Sequence, residues 1–243
     1  MHELSIILPT YNEKENIEAM IPEIEGFLRS EKISGEIIIV DDSSPDGTAE
    51  IAKRLGRKYG NVRVIVKGRK EGIGAALRVG YNSARGKYML SSDSDMSFKV
   101  EDMGRLIKKL EEGFDLVVGS RHMPEGGYMK PSMRIKLKGI VSLLGNRVVR
   151  LITGIGLHDF SANFRVVRMG VWRSIRTAEN TNSILLEMIM KTAYKGYKIA
   201  EIPVTFEDRL YGESKLNLGL EAPKFFAKLL LFTVKFRVLR QLD

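Results

Sequence analysis

The 243-residue chain has no cysteine, three histidines and a single tryptophan. The missing thiols exclude disulfides and thiolate-bound metal centres. Three histidines leave little from which to build a His-rich zinc site. No apolar run reaches the ~20 residues that a membrane-spanning helix needs. The apolar run from Phe225 to Phe236 is shorter and is interrupted by Lys228 and Lys235. The opening MHELSIILPTYNE has acidic and polar residues where a secretory leader would keep an unbroken apolar run, so no leader is expected. Acidic residues are also scarce in the second half. Residues 130–243 hold 20 Lys and Arg against 9 Asp and Glu, whereas residues 1–129 hold 19 against 21. A basic half implies an anionic partner: nucleic acid, a phosphorylated substrate or a membrane surface. A merely soluble basic surface is the plain alternative. No RNA- or DNA-binding motif accompanies the charge, so nucleic acid is not expected as a partner.

What is present is an alternation of apolar runs and helical patterns. LSIILP at 4–9 reads as a strand. The following stretch carries Ile17, Met20, Ile21, Ile24 and Leu28 at helical spacing. EIIIVDD, NVRVIVKG, KYMLSSDSD and FDLVVGSR read as further strands. Between them lie helices, one of which aligns Met103, Leu106, Ile107 and Leu110 on one face. Continuous apolar strands separated by helices imply an α/β chain with a mostly parallel sheet covered on both faces. Ligands then bind beyond the carboxyl ends of the strands. The second half is less regular. Residues 132–153 read as a helix with only basic charges, NFRVVRM as a strand, SILLEMIMKTAYKGY as a helix and KIAEIPVTFED as a strand.

Three polar clusters fall where strands should end: PTYNE at 9–13, VDDSSPDGT at 40–48 and SSDSD at 91–95. Asp and Ser are ordinary turn and cap formers, and Asp46 is expected to cap the helix that follows it. Several carboxylates on one rim nevertheless repel each other unless a cation or hydrogen-bond donors are held there. With no cysteine, hard oxygen ligands point to Mg²⁺ or Mn²⁺. Tyr11 suits the core or stacking on a nucleobase.

The strings LSIILPTYNEKENI, IIIVDDSSPDGT, KEGIGAALRVG, SSDSDMS, VVGSR and DRLYGESKL resemble, in this order, those of inverting family 2 glycosyltransferases of the GT-A fold. VTFEDRLYGESKLN is similar to the dolichol-phosphate mannose synthase family of polyprenyl-phosphate mannosyltransferases. The likeness runs from about residue 4 to about residue 217. It implies a single Rossmann-like catalytic domain over 1–217 and a terminal amphipathic helix over 218–243. It further implies transfer of mannose from GDP-mannose to a polyprenyl or dolichyl phosphate, with UDP-glucose or another nucleotide sugar as the alternative donor. Pro9, Tyr11, Glu13, Val40, Asp42 and Ser94 would hold the donor nucleoside side. Asp93, Asp95 and Ser97 would hold the metal, and Arg209 and Lys215 the donor phosphates. Arg121, with Arg134 and Lys138, would seat the acceptor phosphate. Asp93, Asp95 and Arg121 would carry the catalysis. A cytoplasmic enzyme, peripheral on the cytoplasmic face of a membrane and possibly with a membrane-anchored helper subunit, is the implied setting.

This chain departs from the family's pattern at several places. Lys138 stands where Arg is common, Asn163 where Gly is usual, and Phe98-Lys99 where His-Pro is commoner. Asn tolerates the left-handed backbone, so a turn at 163 is expected to survive. Glu187 is expected either in the site or orienting Arg165. Arg134, Lys136, Lys138, Arg147 and Arg150 suit a solvated helix face equally well. The terminal helix, with Pro223 in its first turn, reads as core packing or as a membrane-interfacial element.

Overall fold

The computed structural model describes residues 2–129, 133–209, 211 and 218–242, with side chains inside the two later helices from 136 and 222 onward. The first half alternates strands and helices as β1 (Leu4–Thr10), α1 (Lys14–Ser30), β2 (Gly35–Asp41), α2 (Thr48–Tyr59), β3 (Val62–Val66), α3 (Ile73–Ser83), β4 (Tyr88–Ser91), α4 (Glu101–Glu111) and β5 (Leu116–Ser120). Then come β6 (Gly127–Tyr128), α5 (Met133–Thr153), β7 (Arg165–Arg168), α6 (Met169–Ile175), α7 (Ile184–Tyr194), β8 (Ile199–Pro203), β9 (Thr205–Phe206) and α8 (Leu218–Phe232). A π-helical segment, Thr233–Val238, follows α8.

Among the described residues seven strands form one sheet in the order β3-β2-β1-β4-β7-β5-β8, and β6 pairs with β9 in a small second sheet. Every residue of β2 is buried. Because side chains alternate between faces, helices must cover both sides of the sheet. The periodicities hold in detail: Ile17, Met20, Ile21, Ile24 and Leu28 of α1, and Met103, Leu106, Ile107 and Leu110 of α4, all face the core. The sheet departs from a purely parallel one at β7, which runs antiparallel to both β4 and β5. Two expectations are corrected in the second half. The strand read through KIAEIPVTFED is broken into β8 in the main sheet and β9 in the small one. Helix α8 starts at Leu218, so Pro223 lies inside it and not in its first turn.

The terminal helix packs some of its apolar residues into the core and leaves others exposed. Leu229, Phe232 and Phe236 are buried, and the rings of Phe232 and Phe236 stack at 5.1 Å. Lys228 Nζ reaches Glu179 at 2.7 Å, and the Arg237 guanidinium donates to the Ile152 carbonyl. Leu230, Leu231, Val234, Val238 and Leu239 are exposed. Among the described residues no helix is long and apolar enough to cross a membrane.

Parallel register brings the sequence's acidic clusters together. Thr10 at the end of β1 pairs with Asp41 at the end of β2, and Ile7 pairs with Ser91 at the end of β4. Because β7 is reversed, Arg165 at its start pairs with Ser91. The residues that precede β7 therefore enter the same rim.

Candidate active site

The rim is built from turns that hold carboxylates in fixed poses. After β4 the chain reverses through Met96, whose φ of 60° lies in the left-handed region that a side chain rarely adopts. The turn is closed by Ser97 N donating to Asp95 Oδ1 at 3.1 Å. Asp95 Oδ2 receives Arg209 Nη2 at 2.8 Å. Asp93 accepts Asn163 Nδ2 at 3.0 Å. Burial first, and then the neighbouring Asp95 charge, push the Asp93 carboxyl up to about 6, against the pull of Asn163, Arg121 and Arg209. A site that raises a carboxyl in this way gains from any added positive charge.

Asn163 is not in the left-handed region, so the expected reason for tolerating it there is not the one found. Its side chain bridges two rim residues instead. Tyr81 Oη donates to Ser91 Oγ at 2.9 Å, Ser91 Oγ donates to Asn163 Oδ1 at 2.8 Å, and Asn163 then donates to Asp93. Glycine could not make this connection. The departure from the family's residue was visible in the sequence; its use was not.

Arg121 leaves the end of β5 and is clamped at once. Its Nε donates to Asp159 Oδ2 at 2.8 Å and its Nη2 to Asp159 Oδ1 at 3.0 Å and to Ser161 Oγ at 2.9 Å. Burial would raise the fully buried Asp159 carboxyl, but the Arg121 charge and hydrogen bonds outweigh it and hold that carboxyl well below the usual range. Arg121 is thus a fixed cation facing Asp93. Asp159 and Ser161 went unread as site residues, although both lie in the HDFSANF string that also contains Asn163.

The donor-side residues divide. Asn12 adopts a left-handed φ of 57° after β1. Beside it, the Tyr11 ring carries the Lys70 ammonium 3.5 Å from its centroid. Glu13 Oε2 accepts Asn16 Nδ2 at 2.6 Å, and the Pro9 carbonyl accepts Ser94 Oγ at 3.3 Å. Asn16 Nδ2 also donates to the Tyr211 carbonyl at 3.3 Å, while Glu207 N donates to Ser97 O at 2.9 Å. These two bonds lay the Arg209 segment across the rim. Phe98 stacks on Phe164 at 4.8 Å and meets Phe206 edge-on at 5.6 Å, which supports the same segment from beneath.

Two donor-side residues are placed differently from expectation. The Val40 side chain is fully buried, and a Cβ on Gly80 would lie 3.2 Å from it, so only its main chain is turned to the rim. Asp42 receives Lys67 Nζ at 2.8 Å, Glu71 N at 3.1 Å on each oxygen and Gly72 N at 2.9 Å. A carboxylate has about four acceptor positions, and all are taken by its own chain. Asp41 is likewise held by Thr10 Oγ1, Ser44 N and Ser44 Oγ. Asp46 does bind the first turn of α2, accepting from Thr48 N at 3.0 Å. Glu187 stands neither in the site nor against Arg165. It accepts from Ala178 N and Glu179 N and pairs with Lys191 at 3.4 Å, while Arg165 donates to the Ala162 and Leu185 carbonyls. Lys138 is half-buried on α5. Lys215 and the Arg134 side chain lie outside the described residues.

The donor set fits a hard divalent cation. Among the described residues no cluster of three or more His, Asp or Glu side chains forms. Mg²⁺ needs no such cage, since it takes one or two carboxylates and completes its shell with water and substrate phosphates. Among the described residues Ser97 Oγ, buried beside Asp95, has no hydrogen-bond partner, an orphaned oxygen of the kind a bound cation satisfies. Asp93, Asp95 and Ser97 are the residues that would hold it.

Comparison with known proteins agrees with this architecture. The family model described as Glycosyl transferase family 2 matches residues 5–176. The chain is 31% identical over 220 residues to polyprenol monophosphomannose synthase of Mycolicibacterium smegmatis, covering 87% of this chain and 80% of that protein. It is 33% identical over 216 residues to dolichol-phosphate mannosyltransferase of Pyrococcus furiosus, covering 88% of this chain but only 59% of that protein. The crystal structure of glucosyl-3-phosphoglycerate synthase from Mycobacterium tuberculosis, in complex with Mn²⁺, uridine diphosphate and phosphoglyceric acid, matches with a TM-score of 0.72 at 20% identity. That match covers 94% of this chain and 78% of the other, and at that identity it shows a shared fold alone.

Proposed function

The chain belongs to glycosyl transferase family 2, and from that membership we propose that it transfers mannose from GDP-mannose to a polyprenyl or dolichyl phosphate. The observation that carries this reading is the pair Asp93 and Asp95 flanked by two held cations, Arg121 bound to Asp159 and Arg209 bound to Asp95. Two anionic groups must meet in this reaction, and the site offers a cation for each. The two curated relatives named above support the sugar and the lipid acceptor.

The residues divide the work as follows. Tyr11, Glu13 and the main chain at Pro9 and Val40 hold the nucleoside. Arg209, with Lys215, faces the diphosphate and counters the charge that grows on it as the bond to the sugar breaks. Asp93, Asp95 and Ser97 would hold a divalent cation, which would further stabilise that leaving diphosphate. Arg121, with Arg134 and Lys138, orients the acceptor phosphate. That phosphate has a second pKa of about 6 and is mostly a dianion at neutral pH, so it needs no strong general base. Its oxygen attacks the anomeric carbon as the opposite bond to the diphosphate breaks. The products are GDP and an inverted, β-linked lipid-phosphate sugar.

The acceptor's hydrocarbon lies in a bilayer, and two neighbouring elements offer an apolar face to meet it. Leu137, Ile140, Leu144 and Leu151 of α5 are exposed, as are Leu230, Leu231 and Val238 near the chain's end. Lysines and arginines flank both rows, the pattern of an interfacial element on the cytoplasmic face. In this reading 218–243 is not a separate anchor, because its buried side is part of the core.

Full-length protein incubated with polyprenyl phosphate, Mg²⁺ or Mn²⁺ and labelled GDP-mannose or UDP-glucose tests the proposal. Mannosyl lipid formed from GDP-mannose, lost on chelation and β by NMR, is the expected result. Faster transfer from UDP-glucose overturns the donor, and an α product overturns direct displacement. Leu144→Glu with Leu231→Glu should lower transfer to vesicle-embedded acceptor while leaving transfer to a short, detergent-dispersed acceptor unchanged. Equal loss on both would overturn the interfacial placement.

A further inference from the structure

Beside His122, the residue after Arg121, α5 lines a cavity of about 230 Å³. Its polar lining is His122, Asn146, Arg147, Arg150 and His158, with Leu143 and Leu157 as its apolar walls. Among the described residues no carboxylate lines it. Glu201, the nearest acid bonded to the lining, sits behind His158, where it accepts from His158 N, Asp159 N and His158 Nδ1.

Most of the neutral groups here are already used. Asn146 Nδ2 donates to the Ser142 carbonyl, and its Oδ1 accepts Phe160 N. His122 Nε2 bonds Ser142 Oγ at 3.0 Å, and burial lowers the imidazole's proton affinity, so it brings no charge at neutral pH. An arginine N–H can only donate, so Arg150 Nη1 donates to His158 Nε2 at 3.0 Å, and it is Nδ1–H of that ring that donates to Glu201 Oε2 at 2.9 Å. The bond to His158 fixes the Arg150 guanidinium at the wall of the cavity while its remaining N–H groups take no partner among the described residues. Arg147, three residues earlier, lies on the same side of the helix, and no carboxylate pairs with either arginine among the described residues. Two guanidiniums, one of them oriented by a histidine, and no counter-ion make a seat for an oxyanion with bidentate geometry.

We propose that this cavity binds the phosphate of an anionic phospholipid headgroup, as a site separate from the acceptor phosphate's. The separation rests on two observations: Arg121, although next to His122, does not line the cavity and is held on Asp159 and Ser161, and Arg147 is nine residues beyond Lys138, about 14 Å farther along the helix axis. The lipid source follows from what borders the cavity. Leu144, Val148 and Leu151 are exposed on the same stretch of α5, Leu151 at 82%. A phosphate in the cavity can therefore carry acyl chains that lie along an apolar strip. A free phosphate ion would make no use of that strip. This proposal rests on the interfacial placement argued above but not on the transfer reaction or its donor.

The test is a titration without any nucleotide sugar. Wild-type protein, the Arg147→Gln, Arg150→Gln variant and a Lys235→Gln, Arg240→Gln variant of equal charge are titrated with short-chain phosphatidic acid below its micelle concentration and with inorganic phosphate. The same three proteins are sedimented with phosphatidylcholine vesicles with and without phosphatidic acid. The expected result is saturable binding of the soluble lipid by the wild type, weakened ~10-fold or more in the Arg147/Arg150 variant, as for loss of charge-assisted hydrogen bonds. The equal-charge control should change less than about twofold. Equal weakening in both variants overturns the site in favour of diffuse surface charge. Inorganic phosphate bound as tightly as the lipid overturns the headgroup assignment. If wild type binds the soluble lipid but no vesicles, the interfacial placement fails, and with it the lipid role. If it binds vesicles but not the soluble lipid, the cavity is not a headgroup site.

Discussion

Two acidic pairs end two strands of the same sheet, and they have opposite surroundings. Asp41 and Asp42, after β2, are surrounded by donors from their own chain: a threonine, a serine, a lysine and three backbone amides. Asp93 and Asp95, after β4, share one amide side chain, one backbone N–H and one arginine, and Asp93 is pushed up to about 6. In sequence both pairs look like acidic turns. The difference is in who satisfies them. A carboxylate whose acceptor positions are filled locally shapes a loop, and one left with few donors is available for an external cation.

The comparison breaks most visibly at Asp95. Asp95→Ala should lower turnover by ~10³-fold or more, the scale of losing charge stabilisation of a leaving group, and should abolish Mn²⁺ binding followed by electron paramagnetic resonance. Thermal unfolding should hardly change. Wild-type turnover by the variant in the presence of chelator would remove Asp95 from the reaction.

The next effect concerns Asp159, a buried carboxylate satisfied by a cation. Arg121→Ala leaves it buried and unpaired, and ~3–5 kcal/mol of stability should be lost. Arg121→Lys keeps the charge but not the fork, so the acceptor KM should rise about tenfold with the donor KM unchanged. The sign with pH follows from a folded-state pKa that is depressed. The Asp159 contribution is complete above the ordinary carboxylate pKa and is lost as pH falls below it, because the unfolded chain then binds the extra proton. Asp159→Asn should flatten that acid limb in denaturant titrations. An unchanged limb would mean that the pair does not contribute.

Asp42→Asn sharpens the contrast from the other side. It breaks the Lys67 and amide bonds that hold residues 67–72, which should cost about 2 kcal/mol and lower Tm by about 5 °C. Turnover should fall by only a few-fold. A collapse in turnover with Tm unchanged would place Asp42 on the substrate after all. The smallest effect on stability is expected from Asn163→Gly, which restores the residue usual in the family. It should weaken Mn²⁺ binding and turnover about tenfold, with stability altered by about 1 kcal/mol.

The alternating half of the chain was legible because periodicity reports burial directly: α1 and α4 show the faces their spacing implies. The rim was legible because parallel strands bring their ends together. Asn163, Asp159 and Lys70 were not. Each acts on a residue distant in sequence, through a reversed strand or a loop crossing, and no local pattern encodes that. Val40 and Asp42 carry the family's residues at the expected positions, but sequence position does not show which way a side chain is turned. The C-terminal helix was ambiguous because both of its faces are apolar, and only packing separates the buried Leu229, Phe232 and Phe236 from the exposed Leu230, Leu231 and Val238.

The reversed strand β7 also sets an order of assembly. Strands β3, β2, β1 and β4 pair among themselves, whereas β5 and β8 join them only through β7. As the chain leaves the ribosome, the first four strands can form a sheet while β5 has no hydrogen-bonded neighbour in it. That strand must wait about 45 residues, until Arg165–Arg168 has been made and inserted. The wait exposes an apolar strand edge and lengthens the loop that must close, which slows folding. The acidic strand ends thus belong to strands that pair among themselves, whereas Arg121, Asn163 and Arg209 lie at the end of β5, before β7 and beyond β9.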